Sequence, residues 1–146
     1  MFINEFNKEE SIGFVNLVNQ LSNIDNKFAK EEEKIVNDYI EELKVSKDIV
    51  DSMDYKEAIS QFDNSTKRIK AIAYFELMGL ALSDGEYEDN EVDFLDKLAE
   101  DFKITRAQRI SFANFFCNFN DVYNFAVVEA NEKIDMLKEQ IEALIK

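Results

Sequence analysis

The sequence predicts an all-α fold, a compact helical bundle of about seven helices, and three observations predict it. The chain has 146 residues, no proline and only three glycines, so few positions interrupt a helix. Apolar residues recur at helical spacing along most of its length. A helix–turn–helix pattern also occurs twice. We therefore expect a single domain over residues 1–146, built on two tandem repeats followed by a long C-terminal helix.

The two repeats cover about residues 12–46 and 65–105, and the second follows the first at a constant offset. Asp25 and Asp84 are 59 positions apart (84 minus 25). The same offset matches residues of like chemical type, namely Asn26 with Gly85, Phe28 with Tyr87, Glu32 with Glu91, Val36 with Leu95 and Ser46 with Thr105. Because asparagine and glycine both accept the left-handed conformation that ends a helix, we interpret Asn26 and Gly85 as equivalent helix ends.

The first half of the chain predicts four helical segments. A first helix ends near Asp25 and is indicated by apolar residues at Ile12, Val15, Val18 and Leu21. A second helix covers about residues 35–43. Ser46 then precedes a short helix over about residues 49–53. Asp54 is followed three residues later by Glu57, which is the capping-box pattern that opens another helix.

The second half begins with a break at Asn64 and an N-cap at Ser65, which start a long helix that ends near Ala81. Gly79 lies inside this helix and is expected to permit a close crossing with a neighbouring helix. After an acidic turn, another helix covers about residues 92–102. Thr105 with Gln108 forms a further capping box.

The last segment predicts an aromatic helix, an interruption at residues 118–121 and a final helix over about residues 121–145. The phenylalanines of the aromatic helix have the spacing of core residues. In the final helix, apolar residues form the seam of a coiled coil, and the candidate partner-binding residues are Val127, Ile134, Leu137, Ile141 and Leu144. Two interpretations stay open: the stripe packs on the protein's own core, or it binds a partner or a second copy.

The charge and the residue inventory exclude several classes of function. The net charge of −14 repels phosphate backbones and anionic lipid, so nucleic acid and membrane surfaces are poor partners, whereas cations and basic protein surfaces are better ones. There is no histidine and a single cysteine, Cys117, which excludes zinc sites and catalytic triads with histidine. No run of about 18 apolar residues occurs, so we expect no membrane insertion and a soluble cytoplasmic protein.

Six carboxylates crowd the ten residues 84–93, and four of them are candidate metal ligands: Asp84, Glu86, Glu88 and Glu91. Carboxylate oxygens suit divalent cations such as calcium, magnesium or manganese. The segment is not an EF-hand, because Asp89 stands where that loop needs glycine and Leu95 where it needs glutamate. The alternative interpretation is structural: Asp84 and Glu91 bond free backbone N–H groups at the turn.

The run from Ala81 to Glu91, with the following Phe94, Leu95, Leu98, Ala99 and residues 103–105, resembles the tellurite-resistance TerB-like family. The matching positions of the turn are Asp84, Gly85, Tyr87 and Glu91, and the first repeat resembles the same element at Asp25, Asn26, Phe28 and Glu32. The resemblance implies a compact helical fold with an acidic surface, a place in bacterial tellurite and stress responses or phage resistance, suggested metal-ion binding, and no established catalytic activity. The heptad-bearing C-terminal helix and the lysine-rich first turn depart from the family.

Two functional hypotheses follow from these observations. The first is a non-enzymatic acidic helical module of a bacterial stress or phage-resistance system, which binds a protein partner with a basic surface and is tuned by a divalent cation. The alternative is a homodimeric assembly or scaffold protein that uses the coiled-coil stripe of the C-terminal helix. An enzyme that uses two carboxylates as acid and base is disfavoured, because no nucleophile, phosphate-binding glycine loop or histidine accompanies them.

Overall fold

The computed structural model describes residues 2–24, 30–82, 89–125 and 139–145, and all regular secondary structure in these ranges is helical. The helices are α1 (Lys8–Ser22), α2 (Lys30–Leu43), α3 (Tyr55–Ser60), α4 (Lys67–Leu82), α5 (Asp89–Asp101), α6 (Arg106–Phe125) and α7 (139–145). Short 3-10 helices cover Ile3–Glu5 and Lys47–Ile49. The predicted all-α class with about seven helices is therefore confirmed over the described ranges.

Two predicted capping boxes are confirmed by their hydrogen bonds. At the start of α3, the backbone N–H of Glu57 donates to Asp54 Oδ1 over 2.8 Å, and the N–H of Asp54 donates to Glu57 Oε1 over 3.5 Å. At the start of α6, the N–H of Gln108 donates to Thr105 Oγ1 over 3.1 Å, and the N–H of Thr105 donates back to Gln108 Oε1 over 3.1 Å. Each box satisfies backbone donors that the first helical turn leaves without partners.

Three predicted boundaries are wrong. The short helix predicted over about residues 49–53 is instead a 3-10 helix over Lys47–Ile49, and residues 50–53 form turns and bends. The N-cap of α4 is Thr66, whose Oγ1 accepts the backbone N–H of Ile69 over 3.2 Å, whereas Ser65 donates its hydroxyl to the buried carboxylate of Glu10 on α1. The interruption predicted at residues 118–121 does not occur, since α6 continues to Phe125. Asparagine and aspartate each cost a helix well under about 1 kcal/mol, and without proline or glycine this cost is too small to end it.

The core lies between α1 and α4, around which the other helices pack. α1 contacts α2, α3 and α4, and α4 contacts α5 and α6. The large side chains that are fully buried in the core include Phe14, Leu17, Phe62, Tyr74, Leu77, Leu95, Leu98 and Phe112. The close crossing predicted at Gly79 is confirmed: a Cβ at Gly79 would lie 2.9 Å from ring atoms of Phe116 on α6. Gly13 allows a similar approach of α1 to the carbonyl oxygen of Ala58 on α3, 2.8 Å from a would-be Cβ.

The ends of α2 and α5 have the same backbone geometry. Lys44 and Lys103 are the two residues other than glycine with positive φ in the described ranges, at 55° and 56°. After α2, the N–H of Val45 donates to the carbonyl oxygen of Ile40 over 3.2 Å; after α5, the N–H of Ile104 donates to that of Ala99 over 2.8 Å. This is the bond pattern of a helix closed by a left-handed residue. Lys44 and Lys103 are 59 positions apart, which is the offset of the predicted repeats.

The beginnings of α1 and α4 show the same offset. α1 starts at Lys8 and α4 at Lys67, and their capping residues Asn7 and Thr66 are again 59 positions apart. Asn7 Oδ1 accepts the N–H of Glu10 over 2.8 Å. The two turns whose residues suggested the duplication, 25–29 and 83–88, lie outside the described residues.

The C-terminal helix α7 packs on the core. Ile141 and Ile145 are 4% and 3% exposed, and both belong to the central apolar cluster. Arg68 of α4 fixes α7 through two hydrogen bonds to Glu142, of 2.5 and 2.9 Å, and reaches Glu5 through two more of 2.9 Å each. Of the helix predicted over about 121–145, residues 121–125 form the end of α6 and 139–145 form α7, while 126–138 lie outside the described residues.

Candidate functional site

Only one of the four predicted metal ligands can be placed. Asp84, Glu86 and Glu88 lie outside the described residues. Glu91 is in the first turn of α5, is 8% exposed and has a polar or electrostatic interaction with another residue. A carboxylate in a first turn is stabilised by the positive end of the helix dipole. The burial of Glu91 therefore fits the structural interpretation better than an open ligand site. Over the ranges that the structure describes, no three or more acidic or cysteine side chains form a group that could hold a metal ion.

A row of exposed carboxylates follows α5 away from the acidic turn. Asp89, Asp93, Asp96 and Glu100 are all exposed, and their spacing of four, three and four residues places them on one side of the helix. We call these four residues the acidic face. Asp96 forms an ion pair with Arg109 of α6, which ties the acidic face to the next helix.

The carboxylate cluster of the turn does not predict the acidic face. In the sequence Asp89 and Asp93 belong to the cluster of residues 84–93, whereas Asp96 and Glu100 lie beyond it. The signal that reveals the face is the helical spacing of the four residues. The positions 59 residues earlier, on α2, are Lys30, Lys34, Asn37 and Glu41, so α2 has no such row of carboxylates there.

The inner side of α5 is held by the core and by α3, so the acidic face is displayed on a fixed helix. Leu95 and Leu98 are fully buried. Tyr55 of α3 donates its hydroxyl to Asp101 Oδ2 over 2.7 Å, and the ammonium of Lys97 lies 4.5 Å from the centre of the Tyr55 ring. Burial, together with the hydrogen bond to Asp101, raises the pKa of Tyr55, which keeps this phenol protonated as a donor.

The predicted partner-binding stripe is only partly placed. Val127, Ile134 and Leu137 lie outside the described residues. Ile141 is buried in the core, and Leu144 is half-buried against it. Both described members of the stripe thus pack on the protein's own core, which agrees with the first of the two interpretations that the sequence left open.

Within the described ranges, no helix combines the length and apolarity that crossing a membrane requires. Among the described residues, the candidate surface is the acidic face of α5. Comparisons of the chain with protein-family models, with curated proteins and with solved structures found no match.

Proposed function

We propose that this chain is a non-enzymatic acidic helical module that binds the basic surface of a protein partner through the acidic face of α5. The observation that carries the proposal is the row of four exposed carboxylates on a helix whose other side is anchored in the core. A fixed row of like charges creates a local potential that attracts lysine and arginine side chains. The net charge of −14 adds a long-range attraction for the same partner.

The setting that we propose is a bacterial stress or phage-resistance system, with the chain as a TerB-like domain. Support comes from the sequence run around Asp84 to Glu91 and from the spacing of the helix ends. Lys8 with Lys67 and Lys44 with Lys103 mark starts and ends of helices that are each 59 residues apart. This agreement supports two tandem helical hairpins of common origin, which is the architecture that the repeat in the sequence predicts.

A divalent cation, calcium, magnesium or manganese, is proposed to tune the binding through the carboxylates of the turn. Asp84, Glu86 and Glu88 are the residues of this turn that would supply oxygen ligands. Glu91, the fourth predicted ligand, is assigned a capping role because it is buried in the first turn of α5. The cation would lower the negative potential beside the acidic face, so it would weaken the attraction for a basic partner.

The test compares two triple variants that remove equal charge from different helices. Asp89→Asn, Asp93→Asn and Glu100→Gln neutralise the acidic face but leave the Asp96–Arg109 ion pair intact. The control, Asp38→Asn, Glu41→Gln and Glu42→Gln, neutralises exposed carboxylates of α2. Partners are captured from bacterial cytosol with each protein, identified by mass spectrometry and then purified for titration, with and without a chelator.

The proposal expects the α5 variant to bind the purified partner about tenfold more weakly and the α2 control to bind it nearly unchanged. Raising the salt from about 50 to 500 mM should weaken the wild-type complex, because exposed charges are screened. Equal losses in the two variants would contradict the role of the acidic face. A chelator that leaves the affinity unchanged would remove the cation from the proposal.

A homodimer through the C-terminal stripe is not retained as a second function. The two described residues that such a dimer would need, Ile141 and Leu144, already pack on the core of their own chain. A coiled coil would have to withdraw Ile141 from this core before it could bind a second copy.

A further inference from the structure

A groove of about 700 Å³ lies between the start of α1 and the segment that joins α2 to the 3-10 helix Lys47–Ile49. Its lining includes four half-buried apolar side chains, Ile12, Leu43, Val45 and Ile49. Two lysines, Lys8 and Lys44, also line it. No carboxylate is among the described residues that line the groove, although 31 of the 146 residues of the chain are acidic. The described lining of the groove thus combines apolar and neutral polar side chains with two lysines, on a strongly acidic protein.

Both lysines are exposed, and neither forms an ion pair with any other described residue. Their backbones are fixed on opposite sides of the groove: Lys8 is the first residue of α1 after its capping Asn7, and Lys44 closes α2 in the left-handed conformation. By contrast, Arg68 and Arg109 are neutralised by carboxylates of the same chain. Two lysines whose backbones are fixed on the two sides of an apolar groove, and which form no ion pair with another described residue, match a ligand that has carboxylates around an apolar group.

We propose that this groove binds an acidic segment of a partner protein that carries at least one large apolar side chain. The apolar side chain would contact Leu43, Val45 and Ile49, which are only half-buried without it. Flanking carboxylates would bind the ammonium groups of Lys8 and Lys44. This site is independent of the acidic face, because it selects the opposite charge.

A peptide segment fits the groove better than a small molecule or a second copy of the chain. Pockets for small ligands enclose most of the ligand surface, whereas Ile12, Leu43, Val45 and Ile49 in the lining of this groove remain partly open to solvent. A second copy is disfavoured by charge, since two molecules of net charge −14 repel each other far more strongly than the chain repels a short segment with a few carboxylates.

The experiment uses a fluorescent nine-residue peptide of alternating glutamate and leucine, with two control peptides in which glutamine or lysine replaces every glutamate. Binding to the full chain is measured by fluorescence polarisation, and the contact site by amide chemical shifts in NMR spectra. We expect the glutamate peptide to bind most tightly and the lysine peptide most weakly at this site. The shifted amides should lie in residues 6–12 and 43–49.

The repeats offer a matched pair of variants. Lys8→Gln with Lys44→Asn removes both cations from the groove, and asparagine is chosen because it tolerates the left-handed conformation. Lys67→Gln with Lys103→Asn makes the same changes at the equivalent positions of α4 and α5. The first variant should weaken binding of the glutamate peptide about tenfold, and the second should leave it unchanged.

Five results would overturn the proposal. The glutamate peptide could fail to bind, or could bind no more tightly than the glutamine peptide. The two double variants could weaken binding equally, which would show that the peptide is attracted by lysines in general and does not bind specifically in the groove. Sedimentation could show a dimer that the Lys8→Gln/Lys44→Asn variant abolishes, which would make a second copy the occupant. Finally, oleate could bind in the groove more tightly than the peptide and displace it.

Discussion

Lys44 and Lys103 adopt a backbone conformation that glycine adopts more easily. The left-handed conformation costs a residue with a Cβ about 1–2 kcal/mol, which substitution by glycine would remove. The greater freedom of glycine in the unfolded chain cancels about 0.5–1 kcal/mol of that stabilisation. We therefore expect Lys44→Gly and Lys103→Gly each to raise the free energy of unfolding by about 0.5–1 kcal/mol. Urea unfolding at pH 7 measures the change.

The control for this prediction is Lys34→Gly, an equally exposed lysine in the interior of α2. Glycine in a helix interior costs about 1 kcal/mol, so this variant should be destabilised. Destabilisation of Lys44→Gly to the same extent would mean that the left-handed geometry at the end of α2 is not the stable one.

Single residues show which contacts a sequence can reveal. The box of Asp54 and Glu57 was predictable because its two members are three residues apart. Asn16 was not, although it is buried, because its side chain donates to the carbonyl oxygen of Ile49 over 2.8 Å and accepts the N–H of Met53 over 3.1 Å. A polar side chain that fixes a loop more than thirty positions away leaves no periodic signal in the sequence.

At the scale of elements, Arg68 connects three separate helices. Its guanidinium binds Glu5 of the first 3-10 helix and Glu142 of α7, and lies 5.7 Å from the centre of the Phe2 ring. The Arg68 hydrogen bond holds the pKa of the Glu5 carboxyl below its ordinary value of 4.5. The chain therefore has an electrostatic clamp between its two terminal elements, formed by residues that are far apart in sequence.

This clamp predicts a pH dependence with a definite sign. Because the folded pKa of Glu5 lies below the unfolded one, its contribution to stability is present above about pH 4.5 and is lost as the pH falls through the folded pKa. The variant Glu5→Gln should thus be less stable than wild type at pH 7, by less than about 1 kcal/mol for a pair so exposed to solvent. The difference should shrink as the pH is lowered to 3, as followed by urea unfolding at each pH.

A double-mutant cycle separates the clamp from other effects of the substitution. In an Arg68→Gln background, Glu5→Gln should change stability little at either pH, because its cation is gone. An unchanged difference between pH 7 and pH 3 in the presence of Arg68 would mean that Glu5 is not bound by it in solution.

The elements themselves were largely predictable, whereas the candidate site was not. Helical periodicity gave the described helices, and Gly79 correctly indicated a close crossing with α6. The carboxylate cluster of the turn does not reveal the acidic face, because only helical spacing brings Asp96 and Glu100 to the same side as Asp93. Composition alone does not show that Glu91 is buried while Asp89 and Asp93 are exposed, because all three are acidic residues near the start of α5.

At the scale of the whole molecule, charge repulsion and core packing act in opposite directions on stability. The surface carries a net charge of −14, and self-repulsion of this size opposes compaction. The core resists it with an almost continuous set of contacting aromatic rings, among them Phe6, Phe14, Phe62 and Phe102. Cations in the groove at Lys8 and Lys44 and carboxylates on α5 then give the same domain two surfaces of opposite chemical preference.

The packing of the C-terminal residues distinguishes a monomeric domain from a coiled-coil dimer. Because Ile141 is 4% exposed in the core of its own chain, Ile141→Ala should lower the free energy of unfolding by about 2–4 kcal/mol. The exposed neighbour Ala143, changed to serine, should have little effect. Wild type and both variants should scatter light as 17.0 kDa particles, and their melting temperatures should not depend on protein concentration. In a dimer closed by this helix, dilution would lower the melting temperature of wild type by mass action, and Ile141→Ala would shift the mass toward the monomer.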